Sequence, residues 1–234
     1  MRCGFVGLGT MGGPMALNVQ KRLSSPPLIV WDKRQDAPGV TAAKAAGCQA
    51  ATSLADLAAS CDVIVLCLPD SVTVESVLFD VPDALAHNLP PGALVIDCST
   101  THPDTARKAA ARLRCGFVDA PVTGERAKAE QGTLTAMVGG SSACFRAARP
   151  VLDSFAREVV HVGGPGHGQT AKALNNCLYN VSVAAMAEVL PLAERLGLNV
   201  EALCRVVCSG TGQSFGFGKF APLVRARTFD APRH

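Results

Sequence analysis

Three glycines near the start of the chain have the spacing of a phosphate-binding turn. The segment Gly7-Leu8-Gly9-Thr10-Met11-Gly12 follows a short apolar run and precedes an amphipathic one, so the pattern predicts a strand, a tight turn and a helix. The free backbone amides at the start of a helix, together with the positive end of its dipole, bind phosphate groups. We therefore predict that this segment binds the pyrophosphate of a dinucleotide.

An acidic side chain follows at the distance expected of a dinucleotide site. Asp32 comes twenty residues after Gly12, at the end of the second predicted strand, where a carboxylate accepts hydrogen bonds from the adenosine ribose hydroxyls. A carboxylate there repels a 2′-phosphate and favours NAD, whereas the following Lys33 and Arg34 would attract that phosphate. NAD is the expected cofactor, with NADP as the alternative.

Two further loops are predicted at the same edge of the sheet. Leu68-Pro69 follow the fourth predicted strand and Ser99-Thr100 follow the fifth, and ligands of doubly wound sheets bind at the C-terminal ends of the strands. The expected cofactor-binding residues are Gly7, Leu8, Gly9, Thr10, Met11, Gly12, Asp32, Leu68, Pro69 and Thr100.

Lys172 and Asn176 are four residues apart in a predicted helix, so they lie on one face of it. An ammonium in the first turns of a helix faces the positive dipole end, and burial also disfavours its charge, so both effects lower its pKa. On the residues alone, a lysine on a helix is usually a solvated side chain.

His167 has no carboxylate or serine partner in a recognisable pattern, and we interpret it as a loop residue.

The elements that position these residues alternate along the first part of the chain. Short apolar runs and longer amphipathic runs follow one another, which is typical of an α/β fold with a doubly wound, Rossmann-type parallel sheet. Ser53 and Ser141 precede helical runs and are predicted N-caps. The predicted strands and helices include Arg2–Leu8, Met11–Arg22, Leu28–Trp31, Val63–Leu68, Ser71–Leu78, Ala93–Asp97 and Pro103–Arg114.

The character of the sequence changes after Gly163. From Gly168 to about Leu196 the only helix breaker is Pro191, so the sequence predicts a long helix with a kink near that residue. This helix is apolar on most sides and must be buried in a second, all-α domain or in a subunit interface. We predict a dinucleotide-binding domain over residues 1–163 and a helical domain over 164–234, with a helix over residues 200–207 and a cluster of phenylalanines that includes Phe229.

Composition excludes several classes of function. The net charge of +3 is spread without a basic block, which argues against nucleic acid as a partner. No apolar run approaches the ~20 residues of a membrane span. The ten cysteines occur singly, with no CxxC pair, which indicates neither a metal site nor a disulfide framework and fits the cytoplasm, or the mitochondrion if a presequence is missing.

Four motifs together resemble the β-hydroxyacid dehydrogenases, the family of 3-hydroxyisobutyrate dehydrogenase, tartronate semialdehyde reductase and the more distant 6-phosphogluconate dehydrogenase. The motifs are Gly4–Asn18, Asp97-Cys98-Ser99-Thr100, Asp119–Gly124 followed by Gly132-Thr133-Leu134, and Gly166–Asn176. The resemblance implies that Lys172 exchanges a proton with the substrate hydroxyl, that Asn176 hydrogen-bonds nearby, and that Thr123 and Gly124 bind the substrate carboxylate. It also implies a homo-oligomer formed through the C-terminal helices.

The chain departs from the family pattern in two places. Glu125 and Lys128 replace glycines of the substrate loop, so that Glu125 adds bulk and a negative charge where an acid would bind, a charge that Arg126 and Lys128 would compensate. Family members also continue beyond the length of this chain, so the helical domain is expected to be incomplete.

The leading hypothesis is an NAD(P)-dependent dehydrogenase that oxidises a small β-hydroxy acid, such as 3-hydroxyisobutyrate, to the semialdehyde. One alternative is an NADP-dependent reductase of glyoxylate or succinic semialdehyde. The other, from a different class, is a protein that binds dinucleotide without turnover and serves as an interaction module.

Overall fold

A computed structural model of the chain describes residues 1–23 and 26–226. These residues form an α/β fold followed by long helices, as the sequence predicts. The strands are β1 Cys3–Val6, β2 Ile29–Trp31, β3 Gln49–Ala50, β4 Val63–Leu66, β5 Leu94–Asp97, β6 Gly116–Asp119, β7 Val122–Thr123, β8 Leu134–Gly140 and β9 Ala156–Gly163. The helices are α1 Gly12–Arg22, α2 Pro38–Ala45, α3 Leu54–Ser60, α4 Ser71–Glu75, α5 Leu85–Asn88, α6 Pro103–Arg112, α7 Glu125–Gln131, α8 Ser142–Leu152, α9 His167–Arg195, α10 Val200–Ser209 and α11 Phe215–Arg225.

The strands form one sheet in the order β3-β2-β1-β4-β5-β6-β8-β7, with β9 paired to β8. All pairs from β3 to β6 are parallel, which confirms the doubly wound arrangement. The sheet is not parallel throughout, because β8 runs antiparallel to both β6 and β7. β6 and β7 pair with successive parts of β8. In the chain, β6 and β7 are separated by two residues, Ala120 and Pro121.

Both faces of the sheet are covered, which explains the continuously apolar strands. Neighbouring residues of one strand point to opposite faces, so β1 and β4 contribute alternate side chains to two separate core layers. One layer contains Phe5, Val65 and Ile96 with Met15 of α1, and the other contains Val6, Ile64 and Leu66 with Leu57 of α3. Each such side chain stabilises the fold by roughly 1.5–3 kcal/mol on burial.

The predicted helix starts are confirmed where a hydroxyl caps them. The Ser53 hydroxyl accepts a hydrogen bond from the backbone of Asp56, and that of Ser141 accepts one from the backbone of Cys144. The helix predicted over Ser71–Leu78 is less regular than expected, because α4 continues as a π-helical turn, Ser76–Asp80.

The chain divides into two compact units, Met1–Lys172 and the residues from Ala173 onward. The division lies inside α9, which confirms the long helix predicted from Gly168 to about Leu196, whereas the kink predicted near Pro191 stays a prediction. The domain boundary predicted after residue 163 stays a prediction. His167 is the first residue of α9 rather than a loop residue, because the Asp119 carboxylate accepts the backbone N–H of Gly166 and the helix begins directly after it.

The second unit has its own small core. It contains Met186 and Leu190 of α9, Cys204 of α10, and Phe217 and Ala221 of α11. α10 extends the helix predicted over residues 200–207, whereas α11 was not predicted. Phe229 lies outside the described residues. Among the residues that the structure describes, none of the helices combines the length and apolar character needed to span a bilayer.

Candidate functional site

The glycine turn between β1 and α1 leaves room at one position and none at two others. Gly7 has a φ of 92°, and a Cβ there would lie 2.4 Å from the Cys67 carbonyl oxygen. A Cβ on Gly12 would lie 2.0 Å from the Gly7 carbonyl oxygen. By contrast, a Cβ on Gly9 would meet no described atom within 4 Å. The crowded glycines let strand and helix approach each other, and the open one leaves the backbone accessible to a phosphate group, so the turn fits a dinucleotide.

Asp32 is hydrogen-bonded to this turn. One carboxylate oxygen accepts the backbone N–H of Leu8 at 2.7 Å, and the other accepts that of Arg34 at 2.9 Å. A carboxylate offers about four acceptor sites. Asp32 therefore joins the end of β2 to the turn and keeps capacity for ribose hydroxyls. Thr10 is exposed beside it, and the Met11 side chain packs against the core.

The loops after β4 and β5 meet at the same edge of the sheet. The backbone N–H of Leu68 donates to the Ser99 hydroxyl at 2.9 Å, which joins the two loops. Pro69 and Thr100 are exposed next to these residues. The structure thus brings the predicted cofactor-binding residues to the carboxyl ends of β1, β2, β4 and β5.

Lys172 is half-buried on α9, and its ammonium donates to the carbonyl oxygen of Val122 at 2.7 Å. Burial lowers the pKa of this ammonium below its usual value of 10.5. Val122 directly precedes Thr123 and Gly124, so the structure brings Lys172 to the predicted substrate loop. Asn176 follows one helical turn later, in the second unit, and its side-chain oxygen lies 3.5 Å from the amide nitrogen of Asn175.

The substrate-loop residues that depart from the family pattern, Glu125 and Lys128, lie in the first turn of α7. Glu125 is the first residue of that helix and has a φ of 62°, a conformation that favours glycine. Gly124 has a φ of 137°, and a Cβ there would lie 2.8 Å from Cδ of Lys128. The substrate loop is therefore more crowded than a loop of glycines.

A buried polar cluster behind these residues was not assigned a role from the sequence. Asp119 accepts the backbone N–H groups of Gly166 and Gln169 at 2.8 and 2.9 Å, so its carboxylate caps α9 from β6. Asp97, its neighbour in register on β5, is fully buried. In the sequence, Asp97 and Asp119 each begin a motif of the family resemblance, but their contacts could not be predicted because the partners of Asp119 lie far along the chain.

Within the described part of the chain, no three His, Cys, Asp or Glu side chains are placed to hold a metal ion. All ten cysteines are free thiols.

Two family models match the chain. Residues 2–163 match the NAD-binding domain of 6-phosphogluconate dehydrogenase, and residues 166–232 match the NAD-binding region of NADP-dependent 3-hydroxyisobutyrate dehydrogenase. Together they cover the glycine turn, the substrate loop and α9.

Individual relatives agree with these models. The NAD-dependent L-serine dehydrogenase of Pseudomonas aeruginosa is 40% identical over 221 residues, which cover 93% of this chain and 72% of that protein. The 3-hydroxyisobutyrate dehydrogenase of the same organism is 38% identical, with the same coverage. A solved structure of Mycobacterium tuberculosis 3-hydroxyisobutyrate dehydrogenase with L-serine superposes with a TM-score of 0.85 at 33% identity, covering 95% of this chain and 75% of that one. The chain therefore belongs to the β-hydroxyacid dehydrogenase family and is an NAD(P)-dependent oxidoreductase acting on a hydroxyl group.

Proposed function

We propose that the protein oxidises a small β-hydroxy acid to the corresponding semialdehyde, with Lys172 as the general acid/base. The observation that carries this proposal is the environment of Lys172, whose half-buried ammonium donates to the Val122 carbonyl directly before the substrate loop. An amine with a lowered pKa beside a substrate-binding loop is suited to proton transfer near neutral pH.

The proton and the hydride leave the substrate by separate routes. In oxidation, the neutral Lys172 amine accepts the hydroxyl proton while the carbon loses its hydrogen with the bonding electron pair. A bound nicotinamide supplies the acceptor for that hydride. In the reverse direction, the Lys172 ammonium returns the proton to the carbonyl oxygen. The Thr123 hydroxyl and the Gly124 backbone bind the substrate carboxylate, and Asn176 orients the substrate.

The substrate class follows from what the named relatives share. L-serine and 3-hydroxyisobutyrate both carry a primary alcohol on the carbon next to the one that bears the carboxylate. One similar relative is named for each of these two compounds. Glu125 and Lys128 alter the charge of the loop that is proposed to bind the substrate carboxylate, so we expect selectivity among acids to depend on these two residues.

The coenzyme preference is proposed to be NAD. The Asp32 carboxylate accepts the Leu8 N–H of the glycine turn, and a carboxylate at this position of a dinucleotide site repels a ribose 2′-phosphate. If Lys33 and Arg34 outweigh this repulsion, the protein is instead an NADP-dependent reductase of the glyoxylate or succinic semialdehyde type.

The test is steady-state turnover with NAD and, separately, NADP against L-serine, 3-hydroxyisobutyrate and 3-hydroxypropionate, with glyoxylate and succinic semialdehyde in the reverse direction. Lys172→Ala should lower kcat by about 10²–10⁴-fold, the usual contribution of general acid–base catalysis. Lys44→Ala, which removes an exposed lysine of α2, should leave kcat unchanged. Oxidation by the wild type should accelerate as the pH rises through the lowered pKa of Lys172, because only the neutral amine accepts a proton.

Two outcomes would contradict the proposal. Full turnover by Lys172→Ala would remove Lys172 from the mechanism. Cofactor binding without turnover of any of these compounds by the folded wild type would favour a dinucleotide-binding interaction module.

We also propose that the protein self-associates through α9. Leu174, Leu178 and Val181 are 62%, 71% and 60% exposed, and their spacing places them on one face of the helix, roughly opposite Asn176. A stripe of this kind is stabilised by burial against a partner. Sedimentation should give an oligomer for the wild type and a smaller species for Leu178→Glu, and a monomeric wild type would contradict the proposal.

A further inference from the structure

Gln169 joins three parts of the first unit through buried hydrogen bonds. Its backbone N–H donates to the Asp119 carboxylate at 2.9 Å. Its side-chain amide donates to the carbonyl oxygen of Ser99 at 2.8 Å and accepts the backbone N–H of Thr101 at 3.0 Å. We call the last two bonds the amide bridge. The side chain is 1% exposed, so water does not compete for these bonds.

The amide bridge holds the backbone on both sides of Thr100. The side chain of Gln169 uses one donor and one acceptor, as a residue of a neighbouring strand would, while Thr100 itself stays exposed at the cofactor edge of the sheet. Gln169 also precedes Lys172 by three residues on α9, which corresponds to about 4.5 Å along the helix axis. One side chain therefore connects the loop of Thr100 to the helical turn that carries Lys172.

The start of α9 is held against the sheet independently of this bridge. The Asp119 carboxylate accepts the backbone N–H groups of Gly166 and Gln169. A Cβ on Gly168 would lie 2.5 Å from the carbonyl oxygens of both Asp119 and Met137, so the helix contacts β6 and β8 without space between them. With α9 held by Asp119, the amide bridge connects the Thr100 loop directly to α9.

We propose that Gln169 is a positioning residue for hydride transfer, whose side-chain amide sets the distance between the Thr100 loop and Lys172. This inference rests on the proposed function, because it takes Lys172 as the acid/base and Thr100 as a cofactor contact. The glycine turn and Asp32, also expected to contact the dinucleotide, lie on other elements, so loss of the amide bridge should affect the geometry of the reaction more than the affinity for the dinucleotide.

The test is Gln169→Met, which keeps the size of the side chain and the backbone bond to Asp119 but removes the amide bridge. Misplacement of reacting groups by about 1 Å costs about 10²-fold in rate, so kcat should fall by about that factor. The dissociation constant of the reduced cofactor, measured by fluorescence titration, should rise by a smaller factor than kcat falls. The deuterium isotope effect on the transferred hydrogen should rise, because hydride transfer becomes rate-limiting.

The matched control is Gln20→Met. Gln20 is half-buried near the end of α1, and its side-chain oxygen accepts the backbone N–H of Leu28 at 2.8 Å. The control loses the same kind of hydrogen bond at a place that the reaction does not use, so its kcat should equal that of the wild type.

Gln169→Glu provides a second variant whose rescue depends on pH. A protonated glutamic acid can donate to Ser99 and accept from Thr101, whereas a carboxylate cannot donate. Asp119 of β6 accepts the backbone N–H of this residue, with Asp97 next to Asp119 on β5; Arg107 of α6 reaches Gly166, and Lys172 follows on α9. Burial and the adjacent Asp119 carboxylate favour the protonated form, so the ratio of kcat for this variant to that of the wild type should be highest at low pH and fall as the pH rises.

The outcomes separate this inference from the proposed function. Wild-type kcat in Gln169→Met, or a loss of cofactor affinity equal to the loss of kcat, would overturn the positioning role. If the wild type turns over no acid, the proposed function fails. Hydrogen exchange then tests whether the amide bridge holds the Thr100 loop: the Thr101 amide should exchange faster in Gln169→Met than in the wild type. Equal exchange would overturn the inference, as would a kcat ratio for Gln169→Glu that does not vary with pH.

Discussion

Asp97 carries a carboxyl group that is costly to ionise in the folded protein. It is fully buried, and one oxygen accepts the backbone N–H of Ser99 at 3.0 Å. The other oxygen has no hydrogen-bond partner among the described residues. Burial, with a smaller contribution from the neighbouring Asp119, raises the pKa of Asp97 from 3.8 to about 7. Replacing Asp97 by the neutral Asn should therefore stabilise the protein where the wild-type carboxyl is ionised.

The direction in which stability changes with pH follows from the number of protons bound by the folded and the unfolded protein. Between pH 4 and pH 7 the folded protein keeps a proton on Asp97 that the unfolded chain has released, so stability is lost as the pH rises through this range. Each pKa unit corresponds to about 1.4 kcal/mol, so the raised pKa of Asp97 costs the folded state about 4 kcal/mol at pH 8 and roughly 1–2 kcal/mol at pH 5. The stability gained by Asp97→Asn should thus be larger at pH 8 than at pH 5 by roughly 2–3 kcal/mol.

The assay is urea unfolding of the wild type and Asp97→Asn at pH 5 and pH 8. The quantity compared is the difference in the free energy of unfolding between the two proteins at each pH, because a group that does not interact with Asp97, such as Lys172, cancels in that difference. Asp36→Asn, at an exposed aspartate, is the matched control. It should change the free energy of unfolding by the same amount at both pH values. A stability gain for Asp97→Asn that does not grow between pH 5 and pH 8 would refute the reasoning.

Three further predictions concern the turn, the substrate loop and the coenzyme. Gly12→Ala should lower the free energy of unfolding by roughly 1–3 kcal/mol, because its Cβ would lie 2.0 Å from the Gly7 carbonyl oxygen; an unchanged urea midpoint would contradict this. Glu125→Gly should raise stability by up to about 1 kcal/mol in the same assay, since it relieves a φ of 62°, and a destabilised variant would show that the Glu125 side chain contributes more than this strain costs. Asp32→Ala should lower the ratio of kcat/KM for NAD to that for NADP by about tenfold, through loss of about 1.4 kcal/mol of repulsion, and an unchanged ratio would mean that another group selects the coenzyme.

The parts of the fold that could be predicted are those determined by local sequence. β4 and β5 were recognised because strands covered on both faces are continuously apolar, and α3 and α8 because a serine precedes each. The direction of β8 depends on pairing with distant strands, which no local pattern encodes. α11 escaped prediction because it contains Gly216, Gly218 and Pro222, all poor helix formers, and is stabilised by packing against α9 and α10.

The same distinction applies to the site. The glycine turn was predictable because its chemistry requires a particular short sequence, and the open space at Gly9 agrees with that prediction. The role of Gln169 was not, because its partners Asp119 and Ser99 lie 50 and 70 residues away. A glutamine within an amphipathic helix gives no sign that both ends of its amide are hydrogen-bonded to a distant loop.

Asp97 and Asp119 lie side by side at the ends of neighbouring strands. Their hydrogen bonds differ, and this difference decides which of the two carboxyl groups is protonated. Both oxygens of Asp119 accept backbone N–H groups of α9, bonds that favour its charged form and oppose the rise in pKa that burial causes. Among the described residues, Asp97 is hydrogen-bonded by Ser99, and its second carboxylate oxygen has no partner. Because two adjacent buried carboxylates repel each other, the proton resides on the one with fewer donors. Asp97 is therefore the member that becomes neutral, which leaves Asp119 charged to hold the start of α9 and, through it, the position of Lys172.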